Sequence, residues 1–223
     1  MARGTGLPKA SPWSKAGAPP GGRLLCLAVG VGLLSGCLSL APPAGGAPEP
    51  AALPAAEAPP HGRWLRVRGV MAAGFAAQVI HDLRATYAEG LILESGGGLV
   101  HEGRTLGHYL RRHGKHTATD GLCASACIEV LAAGVERYIT PGARLGVHPH
   151  TLPVHLDRRV NQALLQLTQA AYLAEMGVDH RWTAQIAHRP REPMIWLSPR
   201  EALDLRLATA VVPQLPAGAE GPP

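Results

Sequence analysis

Two segments of small residues, Glu94-Ser95-Gly96-Gly97-Gly98 and Cys123-Ala124-Ser125-Ala126-Cys127, stand with Gly146-Val147-His148 as the residues best suited to chemistry. Each small segment follows a short apolar run and precedes a helical pattern. A serine hydroxyl becomes a nucleophile only when a base takes its proton, and the oxyanion it creates needs fixed donors. Ser125 offers the hydroxyl and His148 the base. The N–H of Ala126, at a helix start, offers one donor where the helix N-terminus favours negative charge. Gly97 can bring a second N–H from another loop, because glycine permits positive φ and close backbone approach.

Other chemistries fit less well. By itself, Ser125 reads as a packing serine in an Ala-rich helix. A Ser–Lys dyad would need Lys115, which precedes Ser125 with no lysine downstream. Cys123, Cys127, His148 and His150 make a two-sulfur, two-nitrogen set fit for tetrahedral zinc. Cys-x3-Cys on a helix with His-x-His on a strand is an unusual spacing, and the remaining histidines show no ligand spacing. Neither a metal nor a cofactor is expected.

The positioning elements alternate. Trp64 to Val70 alternates apolar and basic like a half-exposed strand. Phe75, Val79, Leu83 and Tyr87 recur every four residues, predicting an amphipathic helix that stops at Gly90. Leu91 to Leu93 is a short strand, and Leu99 to Arg112 a helix with Leu106 and Leu110 inward. Lys115 to Thr119 reads as a strand, and Ser125 to Ala133 as a helix closed by Gly134. Arg137 to Thr140 and Leu145 to His148 read as strands around the Pro141-Gly142 turn. Val160 to Met176 is the longest helix, with Leu164, Leu167, Ala171 and Tyr172 as core candidates. Ser198-Pro199-Arg200-Glu201 carries a capping-box signature with proline at the first helical position. Strand–helix alternation through one domain implies an α/β fold with a largely buried sheet.

That domain occupies residues 61–212. Ahead of it, Arg3, Lys9, Lys15 and Arg23 form a basic stretch, then Leu24 to Leu34 is almost wholly apolar and Leu34-Ser35-Gly36-Cys37 follows. The apolar run is too short to span a bilayer and reads as a signal-peptide core over residues 1–36. Small residues before Cys37 resemble the bacterial lipobox, which implies an acylated Cys37, a membrane partner and a periplasm-facing location. Leu38 in the next position favours the outer membrane. Removing residues 1–36 takes away four basic and no acidic side chains, so the net charge falls from +5 to +1. No basic patch remains to argue for nucleic acid. Residues 41–60 hold seven prolines and eight alanines, so 37–60 reads as an extended spacer. The tail, 213–223, repeats that character and is expected to lack structure.

With Cys26 in the signal and Cys37 acylated, Cys123 and Cys127 are the pair left in the domain. An even pair in an exported protein suggests a disulfide, and i, i+4 spacing brings the side chains together if both are helical. A bridge flanking Ser125 would strain the turn that presents it, and two buried thiols serve equally as small apolar residues.

The order Ser-Gly-Gly-Gly, then Ala-Ser-Ala at a helix start, then a strand ending in Val-His resembles the Clp protease proteolytic subunit and its crotonase-like superfold. The family's matching segments read Asn-Ser-Pro-Gly-Gly and Met-Ile-His-Gln-Pro. Over roughly residues 63–212 the chain is similar to exported, Clp-protease-like bacterial proteins. Their Cys-Ala-Ser-Ala-Cys, Gly-Phe-His-like and Met-x-Trp-Leu-Ser segments match Cys123–Cys127, Gly146–His148 and Met194–Ser198. The resemblance implies a ClpP/crotonase-like domain of superhelical strand–strand–helix units, with Ser125 as nucleophile and His148 as general base. It further implies an oxyanion hole from the N–H groups of Gly97 and Ala126, a peptide or other acyl substrate, and a homo-oligomer. In Clp proteases an acidic residue orients the histidine, and Met194 takes its position here. Glu192, Asp179 or a backbone carbonyl are the candidate substitutes. A non-catalytic lipoprotein scaffold retaining the superfold is the alternative reading.

Overall fold

The computed structural model describes residues 59–148, 158–181 and 194–221. The leader, the lipobox with Cys37, the spacer to Ala58, His150 and Glu192 lie outside the described residues. The strands are β1 (Trp64–Arg68), β2 (Gly90–Glu94), β3 (His116–Thr119), β4 (Leu122–Ala124) and β5 (Arg137–Ile139). They continue as β6 (Arg144–Val147), β7 (Ile195–Leu197), β8 (Ala210–Val211) and β9 (Gly218–Glu220). The helices are α1 (Phe75–Thr86), α2 (Val100–Arg112), α3 (Ala126–Ala133), α4 (Arg158–Glu175) and α5 (Pro199–Asp204).

Six strands form one sheet in the order β8-β5-β3-β2-β1-β9, every pair parallel. Parallel neighbours need crossover connections, and α1, α2 and α3 supply them. Leu91, Ile92 and Leu93 are buried on both faces of β2, as a central parallel strand requires. Burying such a side chain contributes about 2 kcal/mol. One face carries Leu65, Val67, Leu91 and Leu93 into the main core, against Val79 and Leu83 of α1, Leu106 and Leu110 of α2, and Ile128 and Leu131 of α3. The other face carries a smaller cluster of Trp64, Ile92, Ala118, Tyr138 and Val212, with Leu215 packed on it.

A second sheet, β4-β6-β7, leaves the first at the Asp120-Gly121 corner. Two isolated bridges, Ser95↔Cys123 and Met71↔Gly98, attach the segments after β1 and β2 to it. Each of the units β3-β4-α3 and β5-β6-α4 therefore runs strand, strand, helix. The chain is α/β with a mostly parallel sheet, as its alternation implied.

Helix packing sets the position of α3. Gly103 and Gly107 present no side chain from α2; a Cβ would lie 2.9 Å from the Ala126 carbonyl oxygen at the first and 3.1 Å from the Ala133 Cβ at the second. The buried Glu129 of α3 accepts from Arg104 of α2 at 2.5 and 3.2 Å, and its carbonyl accepts from the Tyr172 hydroxyl at 2.8 Å. Burial pushes the Tyr172 phenol well above its ordinary range.

Two expectations are corrected. The tail from Pro213 carries structure: β9 pairs with β1 in the register Trp64↔Gly218, and Arg68 forms an ion pair with Glu220. Proline and glycine prevented neither, because β9 occupies a sheet edge and contains no proline. On α4, Leu164 and Leu167 are exposed, 55% and 68%, and Ala171 is exposed as well. Among the described side chains of α4, Tyr172 and Leu173 in the last turn belong to the core, with Met176 just beyond.

Candidate active site

β4 ends at Ala124 and α3 begins at Ala126, so the strand-to-helix turn consists of Ser125 alone. Its backbone sits at φ 57, ψ −125, a left-handed conformation that typically costs a non-glycine residue about 1–3 kcal/mol. Three backbone hydrogen bonds flank it. Ala124 donates to the Ser95 carbonyl at 3.0 Å, Ser125 donates to the Gly146 carbonyl at 2.9 Å, and Ile128 donates to the Ser125 carbonyl at 3.0 Å. The methyl groups of Ala124 and Ala126 leave room for so sharp a turn.

His148 follows directly on β6, which is clamped between β4 and β7. The register Ala124↔Gly146 carries the histidine toward the turn, and His148 Nε2 lies 2.8 Å from Ser125 Oγ. For Nε2 to accept the hydroxyl proton, the imidazole's own proton must reside on Nδ1. Gly146 has no space for a side chain, since a Cβ would meet Met194 Sδ at 2.8 Å and the Trp196 ring at 2.9 Å.

Gly97 is the backbone neighbour of this turn. With φ +99, it would place a Cβ 2.7 Å from Ser125 Cβ, 2.7 Å from the Ala124 oxygen and 2.9 Å from the Ala126 nitrogen. Its N–H does not face outward as the sequence suggested. It donates to Ser95 Oγ at 3.0 Å, and that hydroxyl donates to the Gly69 carbonyl at 2.6 Å. The amide one residue on is placed differently. Met71 donates to the Gly97 carbonyl at 3.0 Å and accepts from Leu99 at 2.8 Å. In a parallel bridge, that pattern turns the N–H of Gly98 away from Met71, and it meets no acceptor among the described residues. The N–H of Ala126 belongs to the first turn of α3, which has no partner within the helix. The amides of Gly98 and Ala126, on either side of the Gly97–Ser125 approach, thus have no partner among the described residues. Ser95, buried beneath the loop, is the residue the sequence reading passed over; its signal was a serine two places before a glycine that must approach another backbone.

Cys123 and Cys127 are joined in a disulfide, with Cα atoms 5.3 Å apart. Cys123 lies on β4 and Cys127 on α3, so the bridge spans the turn rather than one helix face, and it coexists with the unusual Ser125 torsions. Its sulfurs are not the thiolates that zinc binds. Met194 packs over Gly146 and carries no carboxylate. Asp179 is engaged by Arg181, with Nε 2.9 Å from Oδ1, which holds its carboxyl well below the usual range. Lys115 donates to the Ala88 carbonyl at 2.7 Å, at the opposite end of β3 from the serine turn.

No protein-family model and no curated protein sequence matches the chain. Among solved structures it is similar to ClpP1 from Listeria monocytogenes, at 20% identity over 68% of this chain and 92% of that one, with a TM-score of 0.54. A point mutant of the same Listeria protein gives 19% identity, the same coverage and a TM-score of 0.56. At that identity the likeness is one of architecture: this chain has a ClpP-like fold.

Proposed function

We propose that this protein is an exported, lipid-anchored serine hydrolase that cleaves a peptide or other acyl bond, facing the periplasm from the outer membrane. The observation that carries the reading is the 2.8 Å contact between His148 Nε2 and Ser125 Oγ, with the serine held at positive φ on the N-terminus of α3. In this mechanism the hydroxyl attacks the acyl carbon as His148 takes its proton. The N–H groups of Gly98 and Ala126 receive the oxyanion, and His148 returns the proton to the leaving group. Water then repeats the sequence on the acyl-enzyme. Self-association of copies and the acylation of Cys37 belong to the same proposal. Acyl hydrolysis that persists unchanged in both Ser125→Ala and His148→Ala proteins would overturn it.

A second reading, a non-catalytic lipoprotein scaffold, draws on Met194 at the position where the resembling family carries its orienting acid. Removing that partner from a triad typically lowers turnover by about 10⁴. Covalent capture of a serine-directed probe by Ser125 argues directly against this reading.

A further inference from the structure

The Cys123–Cys127 disulfide, with its cysteines two residues either side of the candidate nucleophile, closes a short loop, the case in which a cross-link restricts the unfolded chain least. Cys123 and Cys127 are both fully buried, and the residues between them are Ala124, Ser125 and Ala126. The closed ring has Ser125 at its apex, at φ 57 and ψ −125. Cys123 is anchored by β4, whose register with β6 pairs it with Leu145, and by the Ser95 bridge. Cys127 is anchored in the first turn of α3. The ring therefore ties a strand end to a helix start across Ser125, the residue within it whose φ is positive. Without it, the turn keeps the Ser125 N–H bond to Gly146 but loses its covalent closure.

We propose that the Cys123–Cys127 disulfide is the positioning clamp that holds Ser125 in its reactive backbone conformation, so that the hydroxyl's alignment with His148 depends on the oxidation state of the pair. The effect on reactivity rests on the serine-hydrolase reading; the effect on the Ser125–His148 contact does not. Reduction by a dithiol is balanced exchange. One dithiol sulfur attacks the bridge and its second sulfur resolves the mixed disulfide. Cys123 and Cys127 are left as thiols, and the dithiol as its cyclic disulfide.

The test uses the full-length protein in three forms: oxidised, reduced with dithiothreitol (the two added hydrogens verified by intact mass), and Cys123→Ala/Cys127→Ala. Two quantities are read, the rate of fluorophosphonate attachment to Ser125 and the NMR resonances of the His148 imidazole. The expected result is a fall in the attachment rate of about tenfold or more, at unchanged probe saturation, in both the reduced and the double-variant proteins. A displacement of about 1 Å is enough to misalign a reacting pair. The His148 resonances lose their hydrogen-bonded signature in the same two samples, while dithiothreitol leaves the double variant unaffected. Equal rates and an unchanged His148 signature in all three forms overturn the proposal. If the oxidised protein takes no probe, the hydrolase reading fails and the imidazole resonances alone decide the clamp. They support it if the signature is lost on reduction and overturn it if the signature is kept. The reduced native protein keeps the test open if the double variant does not fold.

Discussion

Gly97 has no room for a side chain. A methyl group there would sit 2.7 Å from Ser125 Cβ on a backbone at φ +99. Gly97→Ala is expected to cost about 3 kcal/mol of stability, combining overpacking with a disfavoured torsion. It should also slow probe attachment to Ser125 about 100-fold, as expected for displacement of a reacting group by an ångström; a folded variant of wild-type reactivity would contradict the role given to this approach. Ser95→Ala removes the hydroxyl that occupies the Gly97 amide and tethers Gly69. Leaving a buried carbonyl and amide without that partner should cost about 2 kcal/mol, measurable by urea denaturation; stability equal to wild type would show that the loop holds itself. At this scale the sequence was informative about side chains and less so about backbone. Ser125 was legible from Ala124 and Ala126 on either side of it, and His148 from its place at the end of a strand. The identity of the outward-facing amide was not, because it depends on whether Met71 pairs around Gly97 or around Gly98.

Each element brings a different part of the site into place. α1 starts at a glycine with no side-chain cap of its own; Glu102 of α2 caps it instead, accepting from Gly74 and Ala76, both at 2.9 Å. Those two amides, Ala76 first, hold the Glu102 carboxyl below its ordinary value. A carboxyl depressed in the folded state stabilises above the unfolded-state pKa and loses that contribution as the pH falls through the folded-state value. Glu102→Gln should therefore lower stability by about 1 kcal/mol at neutral pH. The gap from wild type should narrow as the pH drops below about 4, and a gap that stays constant down to acid would contradict this account of the cap. Helix periodicity exposed α1 and α2 in the sequence, although α1 ends at Thr86 rather than running to Gly90 and Tyr87, read as its fourth apolar contact, is exposed at the cap. Strands as short as Leu122-Cys123-Ala124 and Ile195-Trp196-Leu197 have no period to read, and they form the small sheet that carries the histidine to the serine. α4 misled for the opposite reason: Leu164 and Leu167 lie on an apolar stripe, yet both are exposed, while Tyr172 and Leu173 in the last turn are buried.

Across the whole molecule, the last described residues extend the sheet at its β1 edge and add to the smaller cluster on one of its faces. β9 pairs with β1, and Leu215 packs on the Trp64, Ile92 and Tyr138 cluster. Deleting residues 213–223 should expose part of that cluster and lower the melting temperature by about 5 °C, in keeping with the loss of about 1–2 kcal/mol in a domain of this size; an unchanged melting temperature would contradict a packed terminus. The ClpP-like architecture was legible from three motifs and their order, since each glycine or serine segment occurs where a strand gives way to the helix that follows it. The terminal strand was hidden by composition, because proline-rich sequence at an edge reads the same whether or not it pairs. Lipid attachment is tested separately by Cys37→Ser, which should shift the protein from the membrane to the soluble fraction; continued retention would assign the anchor to another segment.

The most direct measurement is intact-mass analysis of the full-length protein after fluorophosphonate treatment, alongside its Ser125→Ala counterpart. A stoichiometric adduct on the native protein that is absent from the Ser125→Ala protein is the result this account predicts. A folded native protein that takes up no probe, or an adduct that persists without Ser125, would contradict it.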